Sequence, residues 1–318
     1  MQASLAPAVH LDQFRHEAFF YSDQDEFLDG MSSFIRAGVD ADEPTLVVLS
    51  AEKIEGLRTE LNGYDDGVLF ADMGEVGANP ARIVPAWQEF VEAHAGPGRR
   101  IRGIGEPICA SRSSAELVEC QRHESLLNLA FNDTSGFYLM CPYDTSLDQS
   151  VLIEAQRSHP HLAHPGDAWA SDFYRGLDEV AAPFAEPLPD PRGEPRFQVF
   201  QAGTLAALRH FVGHNAAQLG FPGQAAEDIV LAANEVATNS VVYGGGGGIL
   251  RIWCEDDTLI CEVNDGGVIH DPMAGRELPV ADRIGGHGLW MANQLCDLVQ
   301  VRSLSTGGSA VRLHKRRA

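Results

Sequence analysis

The sequence predicts two domains, an N-terminal α/β domain with a mostly parallel sheet and a C-terminal α+β sandwich. The chain has 318 residues, which is enough for two hydrophobic cores. Residues 10–164 alternate between short apolar runs and helical patterns, as in a parallel sheet covered by helices. Residues 196–318 instead read as a strand, two helices, two strands, a helix and two strands. That order predicts helices on one face of a mixed or antiparallel sheet.

In residues 10–164, the predicted strands are continuous apolar runs and the predicted helices have one apolar face. Thr45–Leu49 is such a run, as expected for a strand that is buried on both faces. Phe27, Met31 and Phe34 recur at helical spacing in the predicted helix Asp25–Gly38. The other elements predicted in this part are helices over 51–61, 81–95, 114–131 and 148–159, and strands over 68–70, 101–105 and 136–141.

Residues 165–195 form a proline-rich linker. We expect a short helix around Asp167–Val180, followed by a stiff, extended connector over residues 183–195. A sensor histidine kinase needs a two-helix hairpin with a phosphoacceptor histidine before its ATP-binding domain. This stretch has no room for one, which argues against that class.

The C-terminal part has a regular pattern of strands and amphipathic helices. Thr204 is a candidate N-cap for a helix that runs through Leu219, and a second helix is expected over Ala225–Tyr243. An amphipathic run from Leu289 to Cys296 predicts a third helix. The strands predicted here cover residues 197–201, 249–254, 259–264, 298–303 and 310–314.

Composition excludes several classes of protein. Of the net charge of −22, only −3 falls on residues 193–318, so the acidic excess lies in the N-terminal part. Direct nucleic-acid binding is therefore not expected, since it needs basic patches. Apolar runs of about 18 residues are missing, which argues against a membrane protein. The N-terminus does not resemble a signal peptide and the six cysteines form neither CxxC pairs nor zinc spacings, so we expect a cytoplasmic protein with reduced thiols.

Polar residues interrupt the C-terminal pattern at three places. Glu235 and Asn239 are four residues apart, so they share one face of an otherwise apolar helix. Asp265 stands at the end of a predicted strand. The glycine-rich stretch 285–288 precedes the third helix, and a helix N-terminus with a flexible glycine loop suits a phosphate group. Residues 268–284 between these features have loop composition, and we expect them to form a lid.

Together these motifs resemble the boxes of the GHKL ATPase fold and, within it, of the anti-sigma-factor serine kinases related to RsbW and SpoIIAB. The four matching segments follow in the family's order: Glu235-Val236-Ala237-Thr238-Asn239, Asp265-Gly266-Gly267, Gly285-Gly286-His287-Gly288-Leu289 and Gly307-Gly308-Ser309-Ala310-Val311. Two positions depart from the pattern, since Tyr243 stands where many relatives have histidine and Ile269 where a fuller box has glycine.

The resemblance implies an ATP and Mg²⁺ site. Asn239 would ligate Mg²⁺, a cation that prefers oxygen ligands. Asp265 would accept a hydrogen bond from the adenine amino group, and Gly267 would let the backbone approach the base. Glu235 would be the general base toward a serine or threonine hydroxyl. The remaining residues implied for the phosphates are Arg283 in the lid and Gly285, Gly286, His287, Gly288 and Leu289 at the helix start.

The implied function is ATP-dependent phosphorylation of an anti-anti-sigma protein of the STAS type, together with sequestration of a sigma factor. We therefore expect a regulator of transcription in a stress response. The alternative is a non-catalytic module that binds a partner and has a degenerate or structural ATP site. The sequence leaves the oligomeric state open, with a homodimer among the options.

The N-terminal part resembles the MEDS family of sensory domains. The resemblance lies in residues 14–21, in Cys141-Pro142-Tyr143-Asp144 and in residues 158–162. It implies a small-molecule or redox signal, without a known ligand. Ligands of open α/β sheets bind at the carboxyl ends of the strands, where several candidates are expected. The candidate sensory residues are His16, Glu106, Cys141, Tyr143, Asp144 and His159.

Overall fold

The computed structural model describes residues 13–179, 186–279, 287–303 and 307–317, and the chain divides into two compact units. The first unit consists of the chain up to Glu75, Glu89–Ser111 and Leu127–Asp178. The second consists of Val76–Gln88, Arg112–Leu126 and the chain from Glu179 onward. The second unit is therefore discontinuous, because two segments from the N-terminal half of the sequence pack with the C-terminal half.

A seven-stranded sheet organises the first unit. Its strand order is β3-β2-β4-β5-β1-β6-β7, and each pair is parallel except β6 with β7. The strands are β1 (Arg15–Tyr21), β2 (Thr45–Leu49), β3 (Val68–Asp72), β4 (Ile101–Gly105), β5 (Phe137–Asp144), β6 (His161–His164) and β7 (Asp167–Ala170). This sheet confirms the predicted α/β class with mostly parallel strands.

Six helices lie in the sequence between these strands. They are α1 (Gln24–Asp40), α2 (Ala51–Leu61), α3 (Met73–Val76), α4 (Ile83–His94), α5 (Ser114–Ala130) and α6 (Gln149–Ser158), and a 3₁₀ turn, Pro80–Arg82, precedes α4. Side-chain hydrogen bonds start several of them: Asp23 accepts from the Glu26 N–H and Asp148 from the Ser150 N–H. Such N-caps satisfy backbone donors that the helix itself leaves without partners.

The strand β1 is an interior strand of the first sheet, although the sequence analysis did not predict it. It pairs with β5 on one side and β6 on the other. Successive side chains of a strand point to opposite faces. Phe19 and Tyr21 join the core with Phe27 and Met31 of α1, so the even-numbered residues of β1 face the other side of the sheet.

The predicted helix around Asp167–Val180 is wrong for the residues that the structure describes. Asp167–Ala170 is the strand β7, paired antiparallel with β6, and Leu177–Glu179 is a single 3₁₀ turn. Gly166 has φ +89°, which completes the tight reversal between the two strands. The strand forms because β6 provides partners for its backbone hydrogen bonds, and a local sequence pattern does not predict such pairing. Val180 lies outside the described residues.

The second unit contains a five-stranded antiparallel sheet and helices that follow β8 in the chain. The strand order is β11-β12-β10-β9-β8. The strands are β8 (Arg196–Gln201), β9 (Gly247–Glu255), β10 (Thr258–Asp265), β11 (Leu298–Ser303) and β12 (Ser309–Arg316). The helices are α7 (Leu205–Gln218), α8 (Gln224–Tyr243) and α9 (His287–Leu295), with 3₁₀ residues Ala202–Thr204 before α7.

One apolar core joins these helices to a single face of the sheet. It contains Val212 of α7, Val236 of α8 and Ala292 of α9 together with Leu250 and Val311 of the sheet. This packing confirms the predicted α+β sandwich.

The predicted N-cap at Thr204 takes a different form. The Thr204 hydroxyl accepts from the Gln201 N–H at 2.9 Å and donates to the Gln201 carbonyl at 3.0 Å, and its side chain makes no cap hydrogen bond to α7.

Candidate nucleotide site and buried histidine–cysteine cluster

The helix α8 presents Glu235 and Asn239 one turn apart, both half-buried. The buried stripe of the same helix, which includes Val236 and Ala237, fixes its rotation against the core. Gly288, in the first turn of α9, lies against this pair. A Cβ added at Gly288 would be 3.0 Å from Asn239 Nδ2 and 3.4 Å from Glu235 Oε2. A Cβ at this position would press on the Asn239 amide, and glycine leaves that space free.

Asp265 ends β10, and its carboxylate is held in one orientation. Its Oδ1 accepts hydrogen bonds from the Gly267 N–H at 2.8 Å and from the Ser309 hydroxyl at 2.9 Å. Ser309 begins β12 directly opposite Asp265 in the antiparallel register. A Cβ at Gly244 would come within 2.5 Å of Asp265 Oδ2, so the glycine after α8 leaves space for this carboxylate.

Ser309 belongs to the last glycine-rich box, but the sequence alone does not assign it a role in the site. The role of Ser309 is visible only in the structure. Only the pairing of β10 with β12 places its hydroxyl on the Asp265 carboxylate.

A cavity of approximately 420 Å³ lies beside these residues in the second unit. The predicted residues that line it are Asn239, Asp265, Gly267, His287 and Leu289. Further lining residues, which sequence reasoning missed, include Ser240, Tyr243, Gly244, Met273 and Ser309. The residues fit a nucleotide. A fixed carboxylate among apolar side chains suits a purine base. The Asn239 amide oxygen beside the first turn of α9 suits Mg²⁺ and phosphate.

The first part of the predicted lid, residues 268–279, has neither helix nor strand and is held by side-chain hydrogen bonds. The Ser303 hydroxyl bonds both the N–H and the carbonyl of Ile269, each at 2.9 Å. Asn293 of α9 donates to the Gly275 carbonyl at 2.8 Å. Arg283, Gly285 and Gly286 lie outside the described residues.

A buried ion cluster anchors the same segment. Arg276 Nη2 lies 2.6 Å from Glu119 Oε2, and Arg302 Nη2 lies 2.8 Å from Glu119 Oε1. All three side chains are at most 5% exposed. Burial lowers the pKa of the Arg276 guanidinium, while the Glu119 charge opposes this shift. The cluster ties the segment to α5 and β11 within the second unit.

Among the candidate sensory residues, the first unit brings His16, Cys141 and His159 together. One ligand atom from each lies within 4.8 Å of the others, and all three residues are buried. His16 Nε2 is 3.3 Å from Cys141 Sγ, and the two imidazole rings have their centroids 4.0 Å apart. The Tyr143 ring packs edge-on against His159, with centroids 5.5 Å apart. Cys141 lies within β5, beside Ala18 of β1, rather than at its carboxyl end.

Glu106 belongs to a second polar group, on the opposite face of the sheet. It directly follows β4 and faces the same way as Ile104, which packs with α1 and α2. Lys53 Nζ lies 2.5 and 2.6 Å from its two carboxylate oxygens, and the Tyr21 hydroxyl donates to it at 2.8 Å. Burial raises the pKa of Glu106, and the Lys53 charge opposes this shift.

Asp144, at the carboxyl end of β5, contributes a further charge that raises the pKa of Glu106. The six candidates therefore divide into two groups separated by the sheet. Sequence reasoning did not find Lys53 and Tyr21 of the second group.

The folds are an α/β domain with a mostly parallel sheet and, after it in the chain, an α+β domain of the GHKL ATPase type. Comparison with family models agrees: residues 15–160 match the MEDS family, described as the methanogen/methylotroph, DcmR sensory domain. Residues 200–315 match the histidine kinase-like ATPase domain. The chain is thus a fusion of a MEDS domain with a GHKL-type ATPase domain, and the resemblance to these two families is confirmed.

Other comparisons add little. A search of curated protein sequences finds no match to this chain. Among solved structures, a chain from the structure of Drosophila ORC bound to AT-rich DNA and Cdc6 is 12% identical, covers 94% of this chain and 81% of that one, and has a TM-score of 0.22. That score is too low to support any inference. Within the described ranges, every helix is too short or too polar to cross a membrane.

Proposed function

We propose that this protein is a sensory anti-sigma regulator whose ATPase domain phosphorylates a serine or threonine of a STAS-type anti-anti-sigma protein and sequesters a sigma factor. The observation that carries the proposal is the position of Glu235. It lies one helical turn from Asn239, and both side chains lie beside Gly288 in the first turn of α9. A carboxylate beside the predicted Mg²⁺ ligand is placed to accept a proton from a protein hydroxyl. A cytoplasmic role in a stress response belongs to the same proposal.

In the proposed phosphoryl transfer, each side chain of the site has a different role. When bound with Mg²⁺, ATP supplies the phosphoryl group. Asp265, fixed by Ser309 and the Gly267 N–H, orients the base. Asn239 supplies an oxygen for the metal ion. Glu235 is only half-buried, so a hydroxyl from a second protein can reach it. Positioning and charge neutralisation are what this reaction chiefly requires.

The test compares Glu235→Gln with a matched control on the same helix. Full-length protein is incubated with γ-labelled ATP and a purified anti-anti-sigma protein, and phosphoserine and phosphothreonine are measured. We expect Glu235→Gln to lower the rate by about 10²–10⁴-fold, the usual contribution of a general base. Glu227→Gln, at an exposed position of α8, should keep the wild-type rate.

The outcomes separate the two functional classes. If wild-type protein labels no serine or threonine but binds ATP, the kinase assignment is wrong and the non-catalytic binding module is supported. If ATP does not bind at all, the nucleotide assignment of the cavity also fails.

A further inference from the structure

We propose that the first unit binds a first-row transition-metal ion, with Zn²⁺ as the first candidate, through His16 Nε2, His159 Nε2 and Cys141 Sγ. Imidazole and thiolate are donors that suit zinc and related borderline-soft ions. The three residues come from β1, β5 and the end of α6, so the sheet itself assembles the site. Their spacing in the sequence, with His16 and Cys141 separated by 125 positions, matches no zinc motif.

The hydrogen bonds of His159 fix which nitrogen can bind a metal. Its Nδ1 lies 2.8 Å from the carbonyl oxygen of Ala155, which can only accept a hydrogen bond. The neutral ring therefore carries its proton on Nδ1 and its lone pair on Nε2. Metal-binding histidines commonly donate their other ring N–H to a backbone carbonyl in this way.

His16 is oriented by the same principle through a side-chain amide. The Asn128 Nδ2 group donates to the Ser158 carbonyl at 2.7 Å, which leaves Asn128 Oδ1 to face His16 Nδ1 at 3.1 Å. The ring proton of His16 is thus on Nδ1, and the lone pair of Nε2 points toward Cys141. Asn128 is a positioning residue, since it sets the tautomer without offering a donor atom to the ion.

The distances suit a single ion. Tetrahedral zinc with Zn–N of about 2.0 Å and Zn–S of about 2.3 Å separates the N and S atoms by about 3.5 Å. The observed separation of His16 Nε2 and Cys141 Sγ is 3.3 Å, and the three ligand atoms lie within 4.8 Å of one another. Small shifts of the side chains would complete the geometry. Binding converts the Cys141 thiol to a thiolate, and its proton passes to the buffer.

Co²⁺ is the first probe, because its thiolate charge-transfer band reports sulfur ligation directly. Full-length protein is stripped with a chelator and titrated with Co²⁺ alone. We expect one equivalent to give tetrahedral d–d bands and a thiolate-to-cobalt band, both lost when Zn²⁺ is added. Cys141→Ser should abolish the charge-transfer band. Cys109→Ser, which removes an exposed cysteine of the same unit, should retain it.

The positioning residue gives a graded test. Asn128→Leu should weaken Zn²⁺ binding about 10–100-fold, as loss of an outer partner usually does, and Asn132→Leu at an exposed position should not. A merely structural role of Asn128 would lower the Tm without moving the metal affinity of the folded protein.

Wild-type protein alone can overturn the proposal, so failure of a variant to fold does not leave it undecided. Zinc K-edge absorption of the zinc-loaded chain should show one sulfur at about 2.3 Å and nitrogen at about 2.0–2.1 Å. A shell without sulfur, a cobalt band that persists in Cys141→Ser, or a titration without a thiolate band would each show that the cluster is only a buried hydrogen-bonded group.

Discussion

The nucleotide cavity and the histidine–cysteine cluster are both built from polar side chains, but the two regions differ in exposure. Asn239 and Asp265 are half-buried and line a cavity, and Glu235, one turn from Asn239 on α8, is also half-buried. His16, Cys141 and His159 are 0–1% exposed in the folded chain. Half-exposed groups are satisfied by water when no ligand is bound, whereas a fully buried polar group depends on its protein neighbours.

This difference predicts how each region responds to substitution. A change in the cavity should alter ligand affinity and leave folding nearly unchanged. A change at a fully buried polar group should lower stability, in either unit. The following predictions test whether exposure, rather than the identity of the domain, decides the response.

The largest effect on folding is expected for Glu119→Gln, a buried position of the ATPase-containing unit. The substitution leaves Arg276 and Arg302 buried without their carboxylate. Breaking such a buried pair costs about 3–5 kcal/mol in the free energy of unfolding. Thermal unfolding of the full chain should show the corresponding decrease in Tm. The exposed control Glu227→Gln should keep the wild-type Tm. An unchanged Tm for Glu119→Gln would contradict the expectation that burial determines how much a substitution lowers stability.

A smaller effect, confined to ligand binding, is expected for Asp265→Asn. The amide keeps an oxygen for the Ser309 hydroxyl and the Gly267 N–H, so the local structure is retained. The new amide N–H group would face the adenine amino group. Both groups are donors, so the hydrogen bond to the base is lost. Loss of a hydrogen bond to a charged group costs about 1.5–3 kcal/mol, or about 10–100-fold in ATP affinity.

Calorimetric titration with ATP measures this loss, and Asp257→Asn in the exposed turn between β9 and β10 is the control. A Tm that falls as far as in Glu119→Gln would contradict the contrast between half-exposed and buried positions.

The sequence predicts the cavity better than the cluster, and the reason is the range of the contacts. Glu235 and Asn239 meet because helical spacing places them on one face, and Gly288 is marked by its neighbouring glycines. The contact of Ser309 with Asp265 depends on strand register, and Arg276 reaches Glu119 across 157 positions of the chain. Neither of these two contacts can be predicted from the local sequence pattern.

The same limit applies to secondary structure in the first unit. The helix α2 and the strand β2 were predicted with the bounds observed, because each has a clear local pattern, which for β2 is a continuous apolar run. The strand β1 was not predicted because polar residues fill its first half, and β7 forms because β6 offers it a partner. Tertiary pairing thus decided the elements that local pattern missed.

The smallest effect should come from pH, through His314 of β12. Burial, and then the neighbouring Arg312 charge, lowers its pKa to about 4 in the folded protein. The unfolded value is about 6.5, so between these two pH values the unfolded chain binds a proton that the folded chain does not. This contribution to stability is fully present above pH 6.5 and is lost as the pH falls toward 4.

Between pH 7 and pH 5 the expected loss is about 1–2 kcal/mol. His314→Gln keeps a partner for Gln300, which contacts His314 Nε2 at 3.0 Å, and should therefore lose less Tm than wild type between those pH values. His210→Gln, at an exposed position of α7, should follow the wild-type curve. Since His314 does not line the nucleotide cavity, ATP affinity at pH 7 should be the same in His314→Gln and wild type. An affinity change there would show that buried and half-exposed groups of this domain are energetically coupled, because a purely local effect on folding leaves the folded site intact.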